Sequence, residues 1–397
     1  MAPGAARSDS RIDDTEPEPE VRSYLGFGCP SDGRLPTLMR FARTGVSVGI
    51  LIPRARPYLG GVDIAGLPHE AWFTSARPPY DWAFAGAVPS LLLIAGAVGI
   101  AAAWRAASHR IPRPELPFLA PLGRLWPWVP RLLAIHAGVS LLAQAARGTF
   151  LAPSLELPSD ALGATVRIAE GVLGVWLVTG FRVRGAAIAV ALAGPVGMAA
   201  YGIVPILERL DLLGIAVFLA LVPPGADAWG TSPTRPSDLV PALAALRVLV
   251  GASLIVLAFS EKLARPDLAL AFLERFPAFN LLRTLGVPFS DIAFVRVAGA
   301  IELLFGLLLV SGALPQLVVI VAGIPFNATL FFLGTDELIG HLPIYGAMLA
   351  LLVYGSSRET AGVVDRFGWG RYPATSGGRS APQRPGDRAS DIADVMT

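Results

Sequence analysis

Apolar residues in this chain are gathered into long runs separated by short polar connectors, and the run length decides the class of protein. A membrane-crossing helix needs about 20 consecutive apolar residues, and runs of that kind fall at 83–104, 131–148, 162–180, 184–203, 209–223, 243–261, 292–312, 315–333 and 338–355. The pattern predicts an all-α, polytopic integral membrane protein of about nine spans embedded in a lipid bilayer. Before the first span the picture differs. Residues 1–20 are rich in Pro, Asp, Glu and Ser and read as disordered. The apolar patch at 44–53 is too short to span and is flanked by Arg40, Arg43, Arg54 and Arg56, which reads as interfacial. Residues 1–82 are therefore expected to be a disordered or interfacial segment, and no cleavable signal peptide is apparent. The tail after 356 is polar and is read as disordered from about 374.

Composition agrees with this reading: 53% of the 397 residues are hydrophobic and 16% charged. A net charge of +2 gives no electrostatic footprint for nucleic acid, so no nucleic-acid partner is expected. Arginines cluster in connectors. Arg105, Arg110, Arg113, Arg124 and Arg131 between the first two spans place that connector on the cytoplasmic side by the positive-inside rule. Alternation then puts the 149–161 connector outside and the tail inside. The 262–291 connector, with Lys262, Arg265, Arg275 and Arg283, lands outside against the rule. A single cysteine, Cys29, excludes an internal disulfide framework and any paired-cysteine redox or zinc motif.

Self-similarity sharpens the architecture. Glu170-x3-Gly174-x5-Gly180 matches Glu302-x3-Gly306-x5-Gly312, Gly194 to Glu208 matches Gly323 to Glu337, and each half opens on an arginine, Arg131 or Arg247. A lead helix and basic connector (83–130) are thus expected before two tandem, parallel four-helix units, 131–223 and 243–355. The second unit carries about 16 extra residues between its first two helices. Within them Asp267 is a plausible N-cap for a short surface or capping helix.

Phe259-Ser260-Glu261-Lys262-Leu263-x-x-Pro266, Glu302-x3-Gly306 and Gly340-His341-Leu342-Pro343 together resemble the DoxX family of bacterial membrane proteins. In that family a four-helix unit ends its first helix on Lys-Leu and carries Glu-x3-Gly in its second. The resemblance covers 243–355 well and 131–223 as a degenerate copy. It implies a subunit of the bacterial inner membrane associated with quinone-linked redox or oxidative-stress systems, with a redox or stress-response protein as partner. It supplies no substrate, and whether the chain is itself an enzyme stays open.

The candidate chemistry lies in the second unit. Carboxylates at membrane depth are functional-site candidates because an unpaired charge there costs several kcal/mol. Glu302, counted from Arg296, lies six residues into its span, or roughly 9 Å. It reads either as a proton acceptor or quinol-hydroxyl partner, or as an interhelical hydrogen bond that fixes packing. Glu170, its counterpart, has Arg167 at i−3 for an ion pair; Glu302 has no arginine on its own face. Lys262 and Arg296 at helix ends, and Glu337 and His341 at the start of the last helix, are expected to converge above Glu302, with Lys262 and His341 as donors and Glu302 or Glu337 taking protons. Interfacial snorkelling of such groups is the plain alternative. Glu261 joins them as a binding residue, and Asn327 reads as interhelical glue or a further binding group. Ala145 and Ala146 are set against Glu261 and Lys262, and Leu212 against His341, so the first unit lacks the site. His136 lies alone in a span, without a second intramembrane histidine at ligand spacing, so haem is not expected, and no metal site is. The cofactor reading is a quinone; a small-molecule or lipid transporter and a non-catalytic membrane scaffold are the alternatives.

Overall fold

The computed structural model describes residues 78–111, 114, 116–222, 235–313, 315–364 and 366. The expectations for residues 1–77, including the interfacial patch and Cys29, and for the tail from 374 lie outside these residues. Among the described residues the chain is all-α apart from one short hairpin. It runs as α1 (Trp82–Gly86), α2 (Val88–Ser108), α3 (Val129–Arg147), β1 (Thr149–Phe150), β2 (Ala152–Glu156), α4 (Ala161–Thr179), α5 (Val183–Tyr201), α6 (Ile203–Leu207), α7 (Leu210–Leu221), α8 (Val240–Leu257), α9 (Pro266–Arg275), α10 (Leu281–Thr284), α11 (Asp291–Ser311), α12 (Pro315–Leu333) and α13 (Thr335–Ser356). The strands pair antiparallel, Thr149 opposite Glu156.

Eight of these helices are long and apolar enough to cross a membrane, which makes the chain a multi-pass membrane protein of helical class. The ninth expected span, at 209–223, is a correction. Its helix α7 has 12 residues, roughly 18 Å at 1.5 Å per residue, against a hydrocarbon core of about 30 Å. Gly202, in the left-handed region at φ 91°, separates α5 from the five-residue α6, and Glu208 and Arg209 separate α6 from α7. What would be one crossing is broken, whereas its counterpart α13 runs unbroken for 22 residues.

Pairwise packing keeps the same order in both halves. The first helix lies along the second (α3 on α4, α8 on α11), the third along the fourth (α5 on α7, α12 on α13), and the fourth of each half lies on the first of the other (α7 on α8, α13 on α3). Glycines set the closest approaches. A Cβ on Gly138 would stand 2.7 Å from the Gly174 carbonyl oxygen, and one on Gly251 would stand 2.6 Å from that of Gly306. Small residues at such crossings let backbones meet where lipid supplies no hydrophobic drive.

These contacts correct two registers. Pairing 138 with 251 sets Gly148 and Thr149, not Ala145 and Ala146, against Glu261 and Lys262. It also leaves Arg131 and Arg247 three residues out of step. Both guanidinium groups nevertheless reach the left-handed glycine closing the second helix: a Cβ on Gly180 (φ 78°) or Gly312 (φ 69°) would collide with the arginine's Nη1. A three-residue offset keeps a side chain on nearly the same helix face, which is how one role survives the shift.

The lead helix α2 packs along α11, burying Ala97 and Ala101. Inserted residues between α8 and α11 form a π turn (Ala258–Leu263), α9 and α10. The short helix expected here is present, but its N-cap is Arg265; Pro266 opens it and Asp267 lies in its first turn.

Candidate functional site

A π turn is where the site begins. Helix α8 ends at Leu257, and the wider turn over Ala258–Leu263 shifts the side-chain phase relative to a 3.6-residue period, as such bulges do near functional sites. Leu263 and Ala258 are buried, and Lys262 lies against α11, where its Cβ would be 3.1 Å from a Cβ on Gly299. From there the Lys262 Nζ reaches Glu302 Oε2 at 2.9 Å and Glu261 Oε2 at 3.2 Å. Opposite, His341 Nδ1 lies 3.0 Å from Glu337 Oε1 one turn earlier on α13, and the imidazole stands edge-on to Phe326 of α12 at 5.0 Å.

All five of these groups, Glu261, Lys262, Glu302, Glu337 and His341, line one cavity of about 310 Å³. The rest of its wall is almost wholly apolar and aromatic: Phe272 from α9, Phe279 from the inserted loop, Phe294 and Phe305 from α11, and Phe326 from α12 among them. Phe272 and Phe279 meet edge-to-face at 5.0 Å, and Phe279 meets Phe332 at 5.3 Å, a geometry that aromatic quadrupoles favour. The inserted segment is held by Asn280, which is fully buried. Its Nδ2 donates to the Phe289 carbonyl at 3.1 Å and to Asp291 Oδ1 at 2.9 Å, and Arg283 also pairs with Asp291. This is a small, apolar pocket with a few convergent polar groups, the general form of a small-molecule site.

The expected depth of Glu302 changes. Helix α11 spans Asp291–Ser311, close to the expected 292–312, so measured from the helix end and not from Arg296, Glu302 stands eleven residues from Asp291 and nine from Ser311. That is the middle of the span, where a lone carboxylate is least tolerable and the Lys262 ammonium compensates it.

Two expected members lie elsewhere. Arg296 turns to the lead segment: its Nε donates to Ser90 Oγ at 3.3 Å and its guanidinium lies 4.4 Å from the centre of the Phe84 ring. Asn327 donates from Nδ2 to the Gly323 carbonyl of its own helix at 2.7 Å and is not on the cavity wall. That bond is a local i→i−4 contact within α12 and carries nothing across to the cavity. The five cavity phenylalanines were not singled out by sequence. The one signal is that two of them, Phe272 and Phe279, fall inside the insertion that the first unit lacks.

The first half's counterpart is filled. Glu170 Oε1 accepts from the Leu151 N–H at 2.8 Å, and Arg167 donates instead to the Ala145 and Ala146 carbonyls at 2.5 and 2.8 Å, so the expected Arg167–Glu170 ion pair does not form. Leu151 sits in the left-handed region at φ 59°, which aims its N–H at the carboxylate. Phe150 stacks on Tyr201 at 6.0 Å, and the Tyr201 hydroxyl donates to the Glu156 carbonyl at 2.9 Å. His136 is occupied too, with Nδ1 2.8 Å from the Leu132 carbonyl oxygen and its ring against Gly346.

No family model, curated protein or solved structure matches this chain. A functional reading therefore rests on the geometry of the cavity and the chemistry of its walls. Among the described residues no group of three or more His, Cys, Asp or Glu is placed to hold a metal ion.

Proposed function

We propose that the chain is a DoxX-like subunit of the bacterial inner membrane whose cavity in the 240–356 half binds the head of a quinone, in support of quinone-linked electron transfer or oxidative-stress defence. One observation carries this reading: Lys262, Glu302, Glu337 and His341, with Glu261, line one cavity whose remaining wall is almost wholly apolar. A quinone ring presents two carbonyl acceptors on an apolar body. The Lys262 ammonium and a protonated ring nitrogen of His341 are donors for the oxidised form. Reduction takes up two electrons and two protons and turns both carbonyls into hydroxyl donors, which Glu302 and Glu337 can then accept. The electrons would be exchanged with a redox protein partner, and on oxidation of the quinol its two protons would pass to the Glu302 and Glu337 carboxylates.

The transporter alternative called for a polar cavity between the two halves at mid-depth; the cavity lies instead inside the second half. The scaffold alternative rests on residues 1–82, nearly all outside the described residues.

The test is equilibrium binding of a radiolabelled short-chain ubiquinone or menaquinone to the full chain in nanodiscs. The native chain is expected to bind saturably and Glu302→Gln at least tenfold more weakly, about 1.4 kcal/mol. Equal binding by the two, or no saturable binding by the native chain, would overturn the reading.

A further inference from the structure

We infer that the cavity opens sideways into the bilayer between α11 and α12, so that its ligand is a long-tailed, lipid-soluble molecule held by its head while its tail lies among the acyl chains. The inference rests on the quinone reading and narrows it to isoprenoid-tailed substrates.

Three features of the cavity agree on this. The first is where its wall is open. Of the lining residues, Ile301 is 43% exposed and Pro325 is also exposed. These two stand on facing helices: α11 packs closely on α8 and α2, but touches α12 only sparsely. The second feature is depth. Ile301 is ten residues from Asp291 and ten from Ser311; Pro325 is ten from Pro315 and eight from Leu333. Ten residues of helix rise roughly 15 Å, half of a hydrocarbon core of about 30 Å. The opening therefore faces acyl chains and not water. At the Asp291 end of α11 the inserted segment covers the cavity instead, with Phe279 edge-to-face to Phe272 and Phe294 on its wall. The third is size. About 310 Å³ is at the small end of ligand pockets. It has room for a substituted six-membered ring but not for several isoprene units as well, so a long tail has to leave through the opening.

Proline inside α12 fits the same arrangement. Pro325 has no N–H to donate to the Val321 carbonyl, which removes one helix hydrogen bond and bends or loosens the ladder. The side of α12 that frames the opening is thus the side least held by its own backbone.

The experiment compares two radiolabelled probes with one ring, a tailless dimethoxy-methyl-benzoquinone and the same ring bearing a long polyprenyl tail, on the full chain in nanodiscs. Ile301→Trp places a large ring across the opening, and Ile324→Trp, a change at a 68% exposed residue off the cavity wall, is the control. Ile301→Trp is expected to weaken the tailed probe at least tenfold and the tailless probe less than threefold, with Ile324→Trp weakening neither. Loss of both probes in equal measure, or of neither, overturns the lateral opening and leaves the quinone reading standing. Failure of both probes on the native chain removes the two together. Should Ile301→Trp not purify as a folded protein, Ile301→Phe takes its place with the same expected outcomes.

Discussion

The two halves of this protein share a frame and differ in what sits against the same carboxylate. In the first, Glu170 meets the backbone N–H of Leu151, the hairpin buries Phe150, Leu151, Ala152 and Leu155, and the space is closed. In the second, the chain leaving the first helix makes a π turn, and the inserted segment places Phe272 of α9 and Phe279 on the cavity wall. Glu302 there meets a side-chain cation on a cavity wall. A backbone N–H is a neutral donor that holds one geometry, whereas a lysine pair leaves a charged, movable group beside an open volume. The difference between a filled site and an open one thus lies in the first connector of each half, and the carboxylate itself is common to both.

The frame is the part on which the halves ought to respond alike, and it carries the largest expected effects. Gly174→Ala and Gly306→Ala each place a methyl 2.7–2.8 Å from a facing glycine carbonyl oxygen. Backbone cannot yield as a flexible side chain can, so each is expected to destabilise by about 1–3 kcal/mol, despite alanine's better helix propensity of about 1 kcal/mol. Thermal unfolding in detergent checks this; a large loss at only one of the two would mean that the halves do not share their crossing.

At Lys262 the halves should part. Removing the ammonium in Lys262→Met leaves Glu302 at mid-span beside Glu261 without its counter-charge. Both partners are less than one quarter exposed, so the loss is set below that of a fully buried pair, at about 1–3 kcal/mol. Lys262→Met with Glu302→Gln removes both charges, and stability is expected to return to within about 1 kcal/mol of the native chain. A double variant no more stable than the single one would show that the pair does not hold this wall.

How much of this could be read from the chain depends on what determines each feature. Spans were legible because length and apolarity decide them, and the one that failed, 209–223, failed because its helix runs only from Leu210 to Leu221 and the Glu208–Arg209 joint keeps α6 from extending it. Lys262, Glu302, Glu337 and His341 were legible because charge is conspicuous in apolar sequence. Arg296 and Asn327 are equally conspicuous, yet their direction depends on which helix packs where, and nothing local shows that α2 comes to lie against α11. The register of Glu261 and Lys262 was misplaced because Arg131 and Arg247 were matched although they stand three residues out of step; the glycine crossings that set the true register depend on which helices pack together. The phenylalanines were invisible as a site because aromatic residues are ordinary in a membrane span.

The smallest expected effect is the one that separates the halves most cleanly. Glu170→Gln keeps an oxygen that can accept from the Leu151 N–H, and among the described residues that backbone group is the carboxylate's hydrogen-bond donor. The exchange replaces a charge-assisted hydrogen bond by a neutral one, a difference of about 0.5–1.5 kcal/mol, and part of that is offset because a buried negative charge no longer has to be accommodated. The net shift in unfolding free energy is expected to be under about 1 kcal/mol, with quinone binding unchanged within about twofold. Glu302→Gln makes the same chemical change 132 positions later in the chain, where the carboxylate faces Lys262 across an open volume, and its expected loss of binding is at least tenfold. Were Glu170→Gln to weaken binding as much as Glu302→Gln, the hairpin would not be closing the first site, and both halves would have to be treated as binding units.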